Sequence, residues 1–295
     1  MPFQSLVIYF TAYSFIGWLI ETIYCSIPAR KFVYRGFLMG PVCPIYGFGA
    51  LSVLLVLSPF SNRPLLVFFL GLVITSALEY FVSVLLEKLF KKSWWDYSAR
   101  KFNINGRICL LTSLAWGVLS VVLVYAIHPA LRRLFEMIPP LYVNIAAIAL
   151  LIVFAGDLVL SVLDTLHFNR DMLKVTEITA LVEKKREELK ELVDNLKVET
   201  KEKLEPKEKR ESEFGARLGQ KKAELTEAVS LFTTAQKEKL EQELAVLQER
   251  QEETLTIFLR RASRIMNAFP HMRLHRKDKL SLRERFTVLR MKNRM

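Results

Sequence analysis

Apolar residues run almost unbroken through five stretches of the chain, at 5–27, 38–57, 64–86, 108–128 and 141–163. Each is close to the ~20 residues that a helix needs to cross a bilayer core. The pattern predicts an all-α protein: a five-helix transmembrane bundle, then a cytoplasmic coiled coil, then a basic amphipathic C-terminal tail. Pro41 and Pro44 interrupt the start of the second stretch. Prolines there leave carbonyls that neighbouring helices or water must satisfy. The first run begins almost at Met1, with no Lys or Arg before Arg30. It is too long for the apolar region of a secretory signal, so it reads as a retained span.

The pattern changes near Asp164. From about 171 to 203 the chain reads as one helix in which Ile178, Val182, Leu189, Leu192 and Leu196 alternate spacings of four and three, with Lys185 in one seam position. That is a coiled-coil seam. Glu183, Glu187, Glu188 and Glu191 mix with Lys184, Arg186 and Lys190 on a solvated outer face. Pro206 breaks the helix; a second follows with Leu218, Leu225, Val229, Phe232, Leu240, Leu244 and Leu247, its phase shifting near Gln236. The two helices either fold back as an antiparallel hairpin or pair between subunits of a homo-oligomer. The expected domains are 1–168 in the membrane, 169–259 as coiled-coil helices broken near 206, and 260–295 as the basic tail.

Charge sets the direction. Arg30, Lys31 and Arg35 fall in the first loop, and Lys88, Lys91, Lys92, Arg100, Lys101 and Arg107 in the third, whereas the second has only Arg63 and the fourth Arg132 and Arg133. By the positive-inside rule the N-terminus lies outside and the C-terminus in the cytoplasm of a multi-pass plasma-membrane protein. The last section carries Arg260, Arg261, Arg264, Arg273, Arg276, Lys277, Lys279, Arg283, Arg285, Arg290, Lys292 and Arg294 against Asp278 and Glu284. Anionic lipid headgroups are the nearest polyanion for it. Nucleic acid is disfavoured, because no nucleic-acid fold accompanies the charge. The segment AFPHMR (268–273) could instead dock on the bundle's own acidic layer.

Glu21, Glu79 and Asp157 stand inside apolar spans, where an ionisable group marks a site or a buried pair. Counted along a helix, each lies about 9–12 Å inside its cytoplasmic end. Tyr46, at the broken start of the second span, and Asn105 and Arg107, at the entry to the fourth, share that depth. The candidate substrate or ion site is therefore Glu21, Arg35, Tyr46, Glu79, Asn105, Arg107 and Asp157, with the arginines as counter-charge. The competing reading is an ion-pair network that only fixes helix register. Glu87 and Asp164 read as solvated caps, and Trp94, Trp95 and Tyr97 as an interfacial aromatic belt. Cys25, Cys43 and Cys109 suggest no disulfide framework. His128 and His167 stand alone, so no metal or other cofactor is expected, and no nucleophile–base pair marks an enzyme.

Three strings, FIGWLIETIY, RGFLMGPVCPIYGFGAL and EYFVSVLLEKLFKKSWWDYSARKFNINGRICL, occur in order over about the first 165 residues. Together they resemble the CmpB-like bacterial membrane family described as Putative ABC-transporter type IV. Tyr34 stands where that pattern often has Asn. The resemblance implies a permease subunit. Its motif positions include Trp18, Glu21, Arg35, Gly40, Cys43, Tyr46, Glu79, Glu87, Asp96, Tyr97, Asn105, Gly106 and Arg107, with no ligand assigned. The chain has no G-x-x-x-x-G-K-[ST], so any ATPase is a separate subunit. The alternative is a membrane-anchored scaffold or regulator acting through its coiled coil.

Overall fold

A computed structural model describes residues 2–203, 213–273 and 280–292, and they are mostly helical. The helices are α1 (Phe3–Ala29), α2 (Pro44–Leu57), α3 (Pro64–Phe90), α4 (Leu110–Val122), α5 (His128–Glu136), α6 (Pro140–Lys203), α7 (Glu213–Ala268) and α8 (Leu282–Lys292). A short antiparallel hairpin, β1 (Asn103–Ile104) and β2 (Ile108–Cys109), precedes α4. The chain divides into two compact units, one of Met1–Asn169 with Ala262–Lys292, the other essentially Arg170–Arg261. Phe3–Ala29, Pro64–Phe90, Leu110–Glu136 and Pro140–Asn195 are long and apolar enough to cross a bilayer. The chain is a membrane protein, and we call the first unit the membrane unit.

The second apolar stretch differs from its expected range of 38–57. Its helix starts only at Pro44, and a 3-10 turn over Ser58–Phe60 extends it. Pro44 sits at the first helical position, where a missing N–H is harmless. Residues ahead of it spend their amides elsewhere: Met39 and Gly40 donate to Asp157, and Cys43 donates to the Ser14 carbonyl at 2.9 Å. At 1.5 Å per residue α2 is about 21 Å long, short of a ~30 Å hydrocarbon core. The fourth stretch runs past its expected end at 128. A π turn, Leu123–Ile127, joins α4 to α5 and carries the helix over Pro129. Proline cannot donate to the carbonyl one turn back, and a widened turn absorbs the lost bond.

The core of the membrane unit gathers Tyr9 and Tyr13 from α1, Val53, Leu54 and Leu57 from α2, Val67 from α3 and Leu123 from the π turn. Its helices touch through small residues, as helices in lipid do. A Cβ built on Gly17 would lie 2.1 Å from Cγ of Tyr46, and one on Gly71 would lie 2.4 Å from Cβ of Ser120. Gly17→Val is accordingly expected to push Tyr46 off α1 and to destabilise the unit by about 1–3 kcal/mol. A lowered thermal midpoint in detergent is the measurement, and an unchanged midpoint would show that α1 and α2 do not meet there.

In the second unit, three polar links run in opposite order along α6 and α7: Asp171 with Arg261, Thr179 with Gln251, and Lys185 with Glu243. The two segments are therefore antiparallel. Met172, Val175 and Val182 are buried on one, and Leu255 and Phe258 on the other. Gln251, only 1% exposed, donates its amide to the Thr179 hydroxyl at 2.9 Å. Lys185, the polar interruption of the expected seam, bridges Glu188 and Glu243. The expected break at Pro206 and the side chains of Leu196, Leu218, Leu225 and Val229 lie outside the described residues, as do Leu274, Arg276, Lys277, Lys279 and Arg294.

Candidate functional site

Glu79 is the most enclosed of the candidate acids, 5% exposed on the buried face of α3. Each carboxylate oxygen accepts one hydrogen bond: Oε2 from the Trp116 indole N–H at 2.9 Å, Oε1 from the Tyr97 hydroxyl at 3.1 Å. Burial pushes the Tyr97 phenol above its usual range, and the adjacent carboxylate adds to this, so it stays a donor. The Tyr46 ring packs on that of Trp116, 5.2 Å between centroids, within electrostatic reach of both Glu21 and Glu79. Beside Glu79 lies a cavity of about 80 Å³ lined by Tyr13, Gly17, Tyr46, Thr75, Trp116 and Ser120.

The β1–β2 hairpin positions Tyr97 and Arg107. Its turn is Asn105-Gly106, both with positive φ (51° and 63°), closed by the Arg107 N–H donating to the Ile104 carbonyl at 3.0 Å. Asn and Gly are the residues that accept this conformation. The Gly106 carbonyl then accepts the Tyr97 N–H at 2.8 Å, and the Arg107 carbonyl accepts the Trp95 indole at 3.0 Å. The Arg107 guanidinium bonds Glu87 at 2.6 Å and Ser83 at 3.2 Å, beside the Tyr80 ring, while the Asn105 amide donates to the Tyr80 hydroxyl. A Cβ on Gly106 would fall 2.3 Å from Oγ of Ser98. Gly106→Ala is expected to cost about 1–2 kcal/mol from the left-handed backbone alone. Faster hydrogen exchange at the Tyr97 amide would report it; unchanged exchange there would refute the coupling.

Glu21 and Arg35 form a separate pair at 2.9 Å, and the Cys43 thiol lies 3.7 Å from the other Glu21 oxygen. The same guanidinium donates to the Ala268 carbonyl and lies 5.5 Å from the Phe269 ring centroid. Phe269 meets Trp94 edge-on at 4.8 Å, and Arg273 exchanges two backbone hydrogen bonds with Ser93 and pairs with Asp96 at 2.7 Å. Residues 268–273 thus seat against the first and third loops of their own unit. Ser281 and Glu284 then cap α8 reciprocally.

Asp157 belongs to neither group. Its oxygens accept the Met39 and Gly40 N–H groups at 2.8 Å each, and Ser161 donates at 3.1 Å. It pins the irregular stretch ahead of α2 and faces a different, larger cavity of about 620 Å³ with Gly40 and Phe154. The expected convergence of three carboxylates on one pocket is replaced by three separate partner sets. Glu79 and Tyr46 share the small cavity, and Glu21, bonded to Arg35, lies within electrostatic reach of both; Arg107 with Asn105 and Tyr80, and Asp157, have other partners.

Three further expectations change. Trp94 is 3% exposed among Phe37, Phe90 and Phe269, so it is a packing residue and not part of an interfacial belt. Glu87 and Asp164 are not solvated caps, since they pair with Arg107 and Arg264 at 2.6 Å. Arg264 and Arg273, counted towards lipid contact, are held by Asp164 and Asp96. Trp116 and Tyr97, the direct partners of Glu79, were not among the expected site residues. The Asn-Gly pair could have revealed the hairpin that brings Tyr97 inward; nothing local marks Trp116, which reads as one more apolar residue of α4.

The model of a family described as Putative ABC-transporter type IV matches residues 8–162, which cover most of α1, all of α2 to α5 and the first part of α6. No curated protein and no solved structure matches the chain.

Proposed function

Because the chain belongs to the Putative ABC-transporter type IV family, we propose that it is a permease-type subunit of the plasma membrane that binds a small solute in the Glu79 cavity. The observation that carries this is a carboxylate buried among apolar helices, held by two aromatic donors, at the wall of a cavity between α1, α2, α3 and α4. Groups of this kind inside a membrane mark solute or ion pathways by default. In this reading five segments cross the bilayer with the N-terminus outside, α2 with its irregular lead-in serving as the short one. The positive loops support that direction. The antiparallel segments of α6 and α7 form a cytoplasmic coiled coil. Basic side chains not held internally face anionic headgroups, and a separate ATPase subunit supplies energy. Uptake of a panel of labelled small solutes into proteoliposomes, with and without a co-purified ATPase, tests the reading. Wild-type chain should move at least one solute faster than empty vesicles, and Glu79→Gln should abolish the difference; a panel with no such solute would refute it.

A scaffold reading has one specific support. Leu181, Leu231, Phe232 and Val246 expose large apolar side chains in the second unit, as a surface awaiting a partner does. Truncation after Asp171 cannot separate the readings, because Ala262–Lys292 packs in the membrane unit. Asp171 and Arg261 are in contact at 3.5 Å, so a short Gly/Ser linker can replace 172–260. A permease is expected to keep its solute movement in that variant. A scaffold is expected to lose its co-purifying proteins, with solute movement absent from wild type as well.

A further inference from the structure

We infer that the Glu79 cavity takes a small alkylammonium ion, an inference that rests on the permease reading and names its substrate class. Four features of the cavity point the same way.

The first is charge. Among the described residues no Lys or Arg pairs with Glu79, since the two nearby arginines of the candidate site are held by Glu21 and Glu87. Its two hydrogen-bond donors are neutral. An indole N–H can only donate, so the oxygen facing Trp116 is an acceptor. These bonds orient the carboxyl group, and among the described residues no cationic side chain balances the charge it carries when ionised. The second is the walls. Tyr13, Tyr46 and Trp116 line the space, and aromatic faces attract cations, most strongly when water is excluded. Carboxylate and rings thus discriminate in the same direction, for a cation and against an anion.

The third is size. About 80 Å³ is several times the ~10–15 Å³ that a cavity needs to hold one water, so there is room for a few heavy atoms. The fourth is the chemistry of the remaining surface. Ile16, Val53 and Leu78 supply hydrocarbon, which suits an alkyl group and offers nothing to a bare metal ion. A divalent cation wants six or more oxygen ligands, and one carboxylate does not provide them. A primary ammonium at Glu79 donates to the carboxylate, lies against the Trp116 and Tyr46 rings, and places two or three carbons on the aliphatic wall.

Calorimetric titration of the full-length chain in nanodiscs with propylammonium tests this. Wild type is expected to bind one ion per chain. 1-Propanol, of the same shape without charge, and propionate are expected not to bind. Glu79→Gln keeps an acceptor for Trp116 and removes the charge, and is expected to weaken binding by about 30-fold or more. Acidification is expected to weaken binding too, because only the ionised carboxylate attracts the ligand. Equal binding of 1-propanol by wild type would show an apolar cavity only, and overturns the proposal with no variant needed. Unchanged affinity in a folded Glu79→Gln overturns it as well. Binding of propylammonium with no movement of any solute in proteoliposomes would uphold the ligand class and refute the permease reading. Movement of some other solute with no propylammonium binding would do the reverse.

Discussion

Asp96→Asn is expected to loosen the C-terminal segment from the membrane unit by about 3 kcal/mol, the scale for breaking one side of an enclosed ion pair. Asp96 is 3% exposed at its side chain and faces Arg273, itself mostly covered, at 2.7 Å. Its other oxygen accepts the Ser98 N–H and hydroxyl at 3.0 and 2.5 Å. Asparagine keeps an acceptor for that turn, so the substitution removes charge with little change of shape. What remains is a guanidinium in a covered site without its carboxylate. The neighbouring contacts depend on the same docking: the Ser93–Arg273 backbone pair, the Trp94–Phe269 edge contact and the Arg35 bond to Ala268. Amide exchange between Ala262 and Arg273 should therefore quicken together, by roughly 150-fold for that free energy, while the amides of α3 stay protected. Exchange that is unchanged across 262–273 would mean that the ion pair contributes nothing to the docking.

How far the chain could be read in advance follows from which contacts are local. The apolar runs at 5–27, 64–86 and 141–163 coincide with long helices because nothing in them competes with helical hydrogen bonding. The run at 38–57 begins its helix later than the pattern predicts, because a pattern of apolar residues does not show where amides go. Met39 and Gly40 give theirs to Asp157, more than a hundred residues away. The run at 108–128 continues past its expected end because a π turn carries the helix over Pro129.

The site was legible as a set of residue types and not as a constellation. Glu21, Glu79 and Asp157 were conspicuous because charge in an apolar run is rare, but equal depth does not mean equal azimuth. Each acid has its own partners, fixed by which face of α1, α3 or α6 it occupies. Trp94 resembled an interfacial residue because a tryptophan after a basic helix end looks the same whether lipid or Phe269 covers it. Arg264 and Arg273 counted as free positive charge because their carboxylates, Asp164 and Asp96, lie far off in sequence. The Asn105-Gly106 turn is the exception: a local signal was present, and its physics is complete within four residues.

Lys92 leads to the second large prediction, a rise of stability with pH that one substitution removes. It follows the end of α3, is 3% exposed, bonds the Asn169 side-chain oxygen and lies 4.2 Å from the Phe168 ring centroid. Burial pushes its ammonium from an ordinary value near 10.5 down to about 7. Unfolded, the amine stays protonated up to about pH 10; folded, it has released its proton above about 7. Between those values the unfolded chain binds the extra proton, so unfolding becomes harder as pH rises. The penalty is complete below pH 7 and is relieved on the alkaline side, opposite to the behaviour of a paired carboxylate. From pH 7 to 9.5 the relief amounts to about 3 kcal/mol. Lys92→Met keeps an unbranched side chain against Phe168 without a titrating group. Thermal unfolding across that interval should therefore show a rising midpoint for wild type and, relative to it, a flat one for Lys92→Met. Tyr34 and Tyr97, whose phenols burial pushes upward, are common to both proteins. Parallel curves for the two would mean that Lys92 keeps its proton in the fold, and that Asn169 and Phe168 solvate the ammonium as well as water does.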